Sequence, residues 1–454
     1  MLLQFLKNRN IKNNLYSLGG NAFQAGLAFI TFLILVRFMD SANFGKWVIF
    51  ITVATLMDMF RLGLTGAATI RLISLNNQEG KESAIGASYQ LSLITSAITV
   101  VIFWSLYWII PDNEFSYIFL FYPILAICNV PYYQATIVFQ GVSDFSRLSI
   151  LKLLNAGLIL VLISALILWE ITMTVKVLIV IYTIANIATS LIVIIKKWDG
   201  ASCISKGNKA YRKKILDFGK YSTASYVGSN LLKSSDTLIL GLSPFMGVEA
   251  VAIYAIPFKF VEMIEVVLRS FASTAYPKLS QALKEKGNHF FKYLMTYIGI
   301  CTLIFIPIST AVFLFPETLL NILGGSNYAD QLPIQKTILY IISIYVLFLP
   351  ADRFTGVALF AMNKAKLNFY KITFMLVFNI LFDIVAVFVF KSLALVALAT
   401  LLFTLIGILI GWKYVRHSST EYAHLQNNFS VYILYNIRQL KKWLRPHKQI
   451  HHRA

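Results

Sequence analysis

The sequence predicts an all-α, polytopic membrane protein of about twelve transmembrane helices, arranged as two six-helix lobes around a central cavity. Three observations carry that expectation. Of 454 residues, 58% are hydrophobic and only 13% charged, where a soluble domain holds about 25% charged residues. Apolar runs of about 20 residues, the length that crosses hydrocarbon as a helix, recur throughout the chain. In hydrocarbon only helices and closed barrels satisfy every backbone group, and continuous runs of this length mean helices.

The spans fall at about 15–38, 44–68, 84–110, 115–140, 148–169, 174–195, 216–242, 248–275, 291–315, 335–360, 368–390 and 393–415. The basic start MLLQFLKNRNIKNN leads into the first with no small-residue cleavage site after it, so it reads as a retained span rather than a signal peptide. The first span holds Asn21 and Gln24, the second Asp58 and Arg61, three apart. Asn129 and Gln134 lie in the fourth, Asn155 in the fifth and Asn186 in the sixth. The seventh holds Lys233 and Asp236, also three apart. The eighth, IPFKFVEMIEVVLRSF, holds Lys259, Glu262, Glu265 and Arg269. Asp352 and Arg353 stand near the inner end of the tenth, and Asn379 and Asp383 in the eleventh. Spans three, five, six, nine and twelve are nearly free of internal charge.

Lys and Arg set the orientation. With the N-terminus inside, the inner segments hold Lys7, Arg9, Lys12, Arg71, Lys81, Arg147, Lys152, the cluster from Lys196 to Lys214, Lys278 to Lys292, Lys364, Lys366, Lys371 and the basic tail. The outer ones offer Arg37, Lys46, Lys176, Lys336 and Lys391. Both termini are therefore expected in the cytoplasm, and the net charge of +20 reads as topology rather than as a nucleic-acid surface.

The connection KKWDGASCISKGNKAYRKK divides six spans from six. Tyr16-Ser17 recurs as Tyr221-Ser222 and Leu33-Ile34-Leu35 as Leu238-Ile239-Leu240, both at an offset of 205. The expected organisation is an N-terminal lobe (1–195), a basic cytoplasmic linker (196–215), a C-terminal lobe (216–415) and a basic cytoplasmic tail (416–454). Parallel repeats of this kind are related by an axis along the membrane normal and carry their path between them. In the tail, Ile433, Ile437, Leu440 and Leu444 share a face ringed by Arg438, Lys441, Lys442 and Arg445, which fits an interfacial helix or a topology-fixing basic flank.

Each charge in the eighth span would cost roughly 2.5–3.5 kcal/mol at a helix centre. The four lie at about 0°, −60°, −120° and −80° around the axis, so they share one face that must look at protein or water. Pairing within the helix, Lys259 with Glu262 and Glu265 with Arg269, is one account. A hydrated path explains better why charge concentrates in spans two, seven and eight. All six histidines lie in predicted loops or tail, no G-x-x-x-x-G-K-[ST] loop occurs, and the outer segments offer little catalytic surface. An enzyme is not expected, nor a cofactor or metal, and the cysteines Cys128, Cys203 and Cys301 suggest no disulfide framework.

The stretches LGGNAFQAGLAFITFLILVRFMDSANFGKWVIF and SSDTLILGLSPFMGVEAVAIYAIPFKF, with Asp236, Gly241, Tyr254 and Ala255, resemble the polysaccharide flippases of the multidrug/oligosaccharidyl-lipid/polysaccharide superfamily. The likeness in organisation covers about residues 10–415. It implies alternating access in a bacterial inner membrane and a substrate of undecaprenyl pyrophosphate bearing an O-antigen or capsule oligosaccharide. It implies a proton or sodium gradient as drive, membrane lipid as surroundings, and a polysaccharide polymerase and a chain-length regulator as partners. On this chain the substrate contacts would be Arg61, Lys233, Lys259, Arg269 and Arg353. The chain departs from a purely cationic lining because each base has an acid nearby, which makes Asp58, Asp236, Glu262 and Glu265 the ion-coupling candidates. The alternative is a multidrug or cation antiporter of the same superfamily. The segment RLISLNNQEGKES lacks the Gly/Asp/Arg-rich motif of facilitator-type sugar transporters, and the charged face of the eighth span argues against a plain membrane scaffold.

Overall fold

The structure, a computed structural model, describes residues 9–110, 114–283 and 289–419. The tail segment expected as an interfacial helix lies outside them. Among the described residues every regular element is helical. In chain order these are α1 Arg9–Phe38, α2 Ser41–Gly63, α3 Gly66–Leu75, α4 Gln78–Ile109, α5 Ser116–Cys128, α6 Val130–Gly141, α7 Phe145–Leu168 and α8 Val175–Ile195. They continue as α9 Lys209–Leu242, α10 Gly247–Ala282, α11 His289–Leu314, α12 Pro316–Gly324, α13 Leu332–Ala361, α14 Ala365–Ile384 and α15 Leu393–Ser419. Nine described helices are each long and apolar enough to cross a membrane, and α5 with α6 makes one more candidate, bent by 47°. Helices α9 and α10, with 34 and 36 residues, have the length but are interrupted by charge. This is the helical, many-span membrane fold that the sequence predicts.

Local chemistry sets the boundaries. Asn77, Asp144, Thr174 and Asn208 each accept a hydrogen bond from the backbone N–H three residues on, which starts α4, α7, α8 and α9. Three details differ from the span boundaries read in the sequence. The second span stops at Gly63, and a short helix restarts at Gly66. The fourth breaks at Asn129, where Pro131 in the first turn of α6 has no amide hydrogen to continue the ladder of α5. Part of the outer segment read as a connection is helical, as α12.

The chain divides into two compact units, one of Met1–Ile256 with Leu320–Leu332, the other of Pro257–Leu319 with Pro333–Ala454. In the first unit, Tyr132, Ala135, Phe139, Leu148, Leu151 and Val193 bury one another, with Trp198 packed on them. Phe44 is buried, and Gly45 beside it faces the Val248 carbonyl so closely that a Cβ there would strike backbone. The Phe-Gly at the start of α2 thus marks where α2 meets the beginning of α10.

The connection between α8 and α9 is docked rather than loose. Asp199 is buried, accepts from the Tyr89 hydroxyl at 3.2 Å and caps the Ala201 amide at 3.1 Å. Gln90 donates to the Ile204 carbonyl at 2.7 Å and accepts from Arg212 at 3.0 Å, while Lys206 pairs with Glu82. Gly86 of α4 lies against the Cys203 carbonyl, where no side chain would fit.

In the second unit, α11 and α13 meet through Ser309, which donates to the Ser343 carbonyl, and through the Tyr297 and Phe354 rings at 5.6 Å. Helix α14 runs into a π-turn at Val385–Val389 before Lys391 turns the chain with φ 49°.

Candidate functional site

The second span supplies the most enclosed charge. Asp58 and Arg61 lie one turn apart on α2, so their side chains rise from the same face. Their closest approach is 2.7 Å, and both are buried. Asp58 also accepts from Tyr122 of α5 and Tyr133 of α6, each at 3.0 Å. Arg61 donates to Ser96 of α4 at 2.8 Å and to the Ala126 carbonyl of α5. Around them Gln134 donates to Ser92 at 2.6 Å and accepts from Ser88. Asp58 and Arg61, three apart in the sequence, pair within the helix. The sequence reading did not include Tyr122, Tyr133, Ser96 or Gln134 as partners, because hydroxyls and amides inside apolar runs leave no charge signal. The arrangement gives both charges several partners, as burial requires, and leaves only Arg61 Nε of the guanidinium nitrogens without one among the described residues.

In α9, Asp236 is buried and accepts from Tyr254 of α10 at 2.7 Å. Lys233, one turn earlier, is exposed. Gly241, on the same helix, packs against Ile49 of α2 at a distance that a Cβ would overfill. Asp236, Gly241 and Tyr254 therefore mark the junction of α2, α9 and α10.

Further along α10, in the second unit, Lys259 and Glu262 pair at 2.6 Å with their side chains 19% and 67% exposed. Arg269 is exposed and donates its Nε–H to the Glu265 carbonyl at 3.3 Å, rather than reaching the Glu265 carboxylate. The quartet thus splits into one ion pair and a more open Arg269, while Ile264 and Leu268 on the other side are buried.

Two polar groups in the second unit complete the inventory. Lys371 of α14 is only 2% exposed, and its Nζ sits 2.6 Å from Asp352 Oδ1 of α13. It also donates to the Asp352 carbonyl at 2.7 Å and to Thr355 at 3.1 Å. The sequence reading counted Lys371 among the inner, topology-setting lysines, although it lies inside the eleventh span. Arg353, beside Asp352, is exposed and makes no ion pair among the described residues. Asn379 donates to Asp383 at 3.0 Å, and both are fully buried. Among the described residues no three His, Cys, Asp or Glu side chains are grouped to hold a metal.

Buried, paired charges thus lie in α2 and between α13 and α14, while Lys233, Arg269 and Arg353 are exposed. Comparison with known proteins bears on the class. The family described as "Polysaccharide biosynthesis protein" matches residues 11–283, and the family described as MatE matches residues 223–385. No curated protein matches the sequence. Among solved structures, an inward-facing multidrug resistance MATE family transporter of the MOP superfamily superposes with a TM-score of 0.74 at 15% identity, over 89% of this chain and 96% of its own. The lipid II flippase MurJ, in an inward closed conformation, superposes at 0.73 and 15% identity, over 95% of this chain and 100% of its own. A MOP superfamily transporter from Pyrococcus furiosus reaches 0.61 at 14% identity, over 91% of this chain and 95% of its own. With a family match that spans more than half of its length, the chain belongs to the polysaccharide biosynthesis protein family, and it shares its fold with these solved structures.

Proposed function

We propose that the protein is a flippase that carries an undecaprenyl-pyrophosphate-linked oligosaccharide repeat unit, of O-antigen or capsule type, from the cytoplasmic to the periplasmic leaflet by alternating access. The observation that carries the reading is the match of the polysaccharide biosynthesis protein family across residues 11–283. In this reading α9 and α10 also cross the membrane, which brings the spans to twelve, six in residues 1–195 and six in 216–415. The protein then lies in a bacterial inner membrane with both termini in the cytoplasm, near a polysaccharide polymerase and a chain-length regulator.

The anionic pyrophosphate needs cations with donors to spare. Arg269 and Arg353 are exposed and fit that need, and Lys233, also exposed, and Lys259 join them when the contacts they hold open. Arg61 is committed to Asp58, Ser96 and Ala126, so its contribution runs through the shape of the first unit. A proton or sodium gradient drives the cycle, with Asp58, Asp236, Glu262 and Glu265 as carboxylates available to it. The second reading, export of cationic drugs, is favoured by the MatE match over residues 223–385, which covers the acid-bearing parts of α9, α10 and α14.

Reconstitution into vesicles separates the two. A lipid-linked oligosaccharide added to one leaflet becomes accessible to a periodate or lectin probe on the other in the presence of the flippase. A fluorescent organic cation is not accumulated. Cation accumulation without glycolipid inversion would replace the first reading with the second.

A further inference from the structure

We propose that residues 320–332 form a releasable strap. Seated on α1 and α10, it keeps one side of the transporter shut, and its release is the step that opens that side. The proposal rests on the transporter reading above, and in the topology given there the strap lies on the outer face.

Two of the outer cations that run against the Lys/Arg bias of the sequence, Arg37 and Lys336, are engaged at this segment. Arg37, in the last turn of α1, donates from Nη2 to the Ile322 carbonyl at 3.0 Å. Its own carbonyl accepts from Asn327 Nδ2 at 2.7 Å. Ile322 lies in the last turn of α12, so each bond reaches a carbonyl where a helix ladder runs out. The guanidinium also stands at the negative ends of both helices. Gly325, with φ 65°, faces the Arg37 side chain, and a Cβ there would stand 3.3 Å from Arg37 Cγ. Lys336 pairs with Glu317, which joins the first turn of α13 to the first turn of α12 at the base of the strap.

Under these bonds lies an apolar seat. Leu320, Leu323 and Tyr328 are buried, and Gly324 packs on Ile256 of α10. Residues 320–332 and the parts of α1 and α10 that they touch belong to the first unit, yet the strap is continuous in the chain with α11 and α13, which belong to the second. Any movement of α11 and α13 relative to the first unit therefore pulls on the strap.

Three features make the seat reversible. Arg37 and Asn327 are exposed, so water takes over their bonds on release. Tyr328 buries its hydroxyl without a hydrogen-bond partner among the described residues, and that group gains water when the strap lifts. Pro316 opens α12 and Pro333 lies in the first turn of α13, so the backbone ladder is interrupted on either side.

The test uses the full chain with Cys128, Cys203 and Cys301 replaced by Ala, reconstituted in lipid vesicles. In Arg37→Cys/Asn327→Cys a short, reducible bis-thiosulfonate bridges the strap to α1. Bridging should lower glycolipid inversion about tenfold or more, a reductant should restore it, and either single variant should be insensitive to the reagent. Without any cargo, hydrogen exchange in 320–332 should rise about tenfold or more in Arg37→Ala, while α4 stays unchanged. Inversion that continues undiminished after bridging, or equal exchange in Arg37→Ala and its parent, would overturn the strap. If the unbridged protein accumulates an organic cation and inverts no glycolipid, the flippase reading falls. The strap then stands if bridging stops cation accumulation and falls if it does not.

Discussion

Arg61 Nη2 meets Asp58 Oδ1 at 2.7 Å across one turn of α2, and each residue is also held by other helices. Tyr122 and Tyr133 reach Asp58 from α5 and α6, on the two sides of the break at Asn129. Ser96 of α4 and Ala126 of α5 receive Arg61. The pair therefore ties four helices of the first unit together where two of them are discontinuous. A charge pair this enclosed gives little net stability, but its rupture strands a charge. Arg61→Ala should cost about 3–5 kcal/mol, and Tyr122→Phe about 1–3 kcal/mol for the acceptor it leaves short. Unfolding of the purified protein in mixed micelles measures both. A fully stable Arg61→Ala protein that no longer moves substrate would return Arg61 to the substrate path.

The docked connection gives a second expectation. Gly86 faces the Cys203 carbonyl with no room for a Cβ, so Gly86→Ala must push the segment 199–207 away from α4. Overpacking of this kind costs roughly 1–3 kcal/mol. Cleavage by trypsin after Lys206 should accelerate about tenfold or more, since about 1.4 kcal/mol is a factor of ten in the open population. Tyr89→Phe, which removes the donor to Asp199, should act in the same direction more weakly. Unchanged cleavage in Gly86→Ala would mean that the connection yields without detaching.

How much of this could be read in the sequence follows from what a charge pattern can and cannot encode. The helical class and the long apolar runs announce themselves by composition, and Asp58/Arg61 and Lys259/Glu262 by a spacing of three. The destination of Arg269 was not legible, because i,i+4 spacing allows both the carboxylate and the carbonyl of Glu265 and only the side-chain rotamer decides. Lys371 misled in the opposite way. Three lysines within eight residues look like a positive-inside flank, yet α13 supplies Asp352 and Thr355 to bury the last of them. The break at Asn129 was written in Asn-Val-Pro, but a continuous apolar run concealed it. The partners of Asp58 lie 64 and 75 residues away, a pairing that only the fold creates.

The pair in α10 separates staple from substrate contact. Lys259 and Glu262 are partly exposed, and such pairs couple by about 0.2–1 kcal/mol. Neither Lys259→Ala nor Glu262→Gln should then shift stability by more than about 1 kcal/mol. The exchanged pair Lys259→Glu/Glu262→Lys keeps the attraction but moves the cation by one turn. If Lys259 meets the pyrophosphate, the exchange leaves stability intact and still lowers surface polysaccharide in cells that depend on this protein. Full surface polymer in the exchanged variant would make the pair a staple.

Asp40, in the turn between α1 and α2, supplies the pH prediction. It accepts from the Asn43 amide at 2.8 Å and the Asn43 side chain at 2.7 Å, so it caps α2. Partial burial pushes its carboxyl up, but hydrogen bonds from the Asn43 side chain and backbone, with further backbone N–H groups, outweigh that and hold it below the usual 3.8. A carboxyl lowered in the folded state binds fewer protons there than in the unfolded chain. Its contribution is therefore present above the unfolded value and is lost as pH falls through the folded one. Asp40→Ala should cost about 0.5–2 kcal/mol at neutral pH, the usual worth of an N-cap. The difference between wild type and variant should stay constant from neutral pH down to about pH 5 and shrink below about pH 4. Denaturant titrations at four or five pH values measure it. A difference that persists undiminished at pH 3 would mean that Asp40 acts through its backbone or its packing, not through a charged cap.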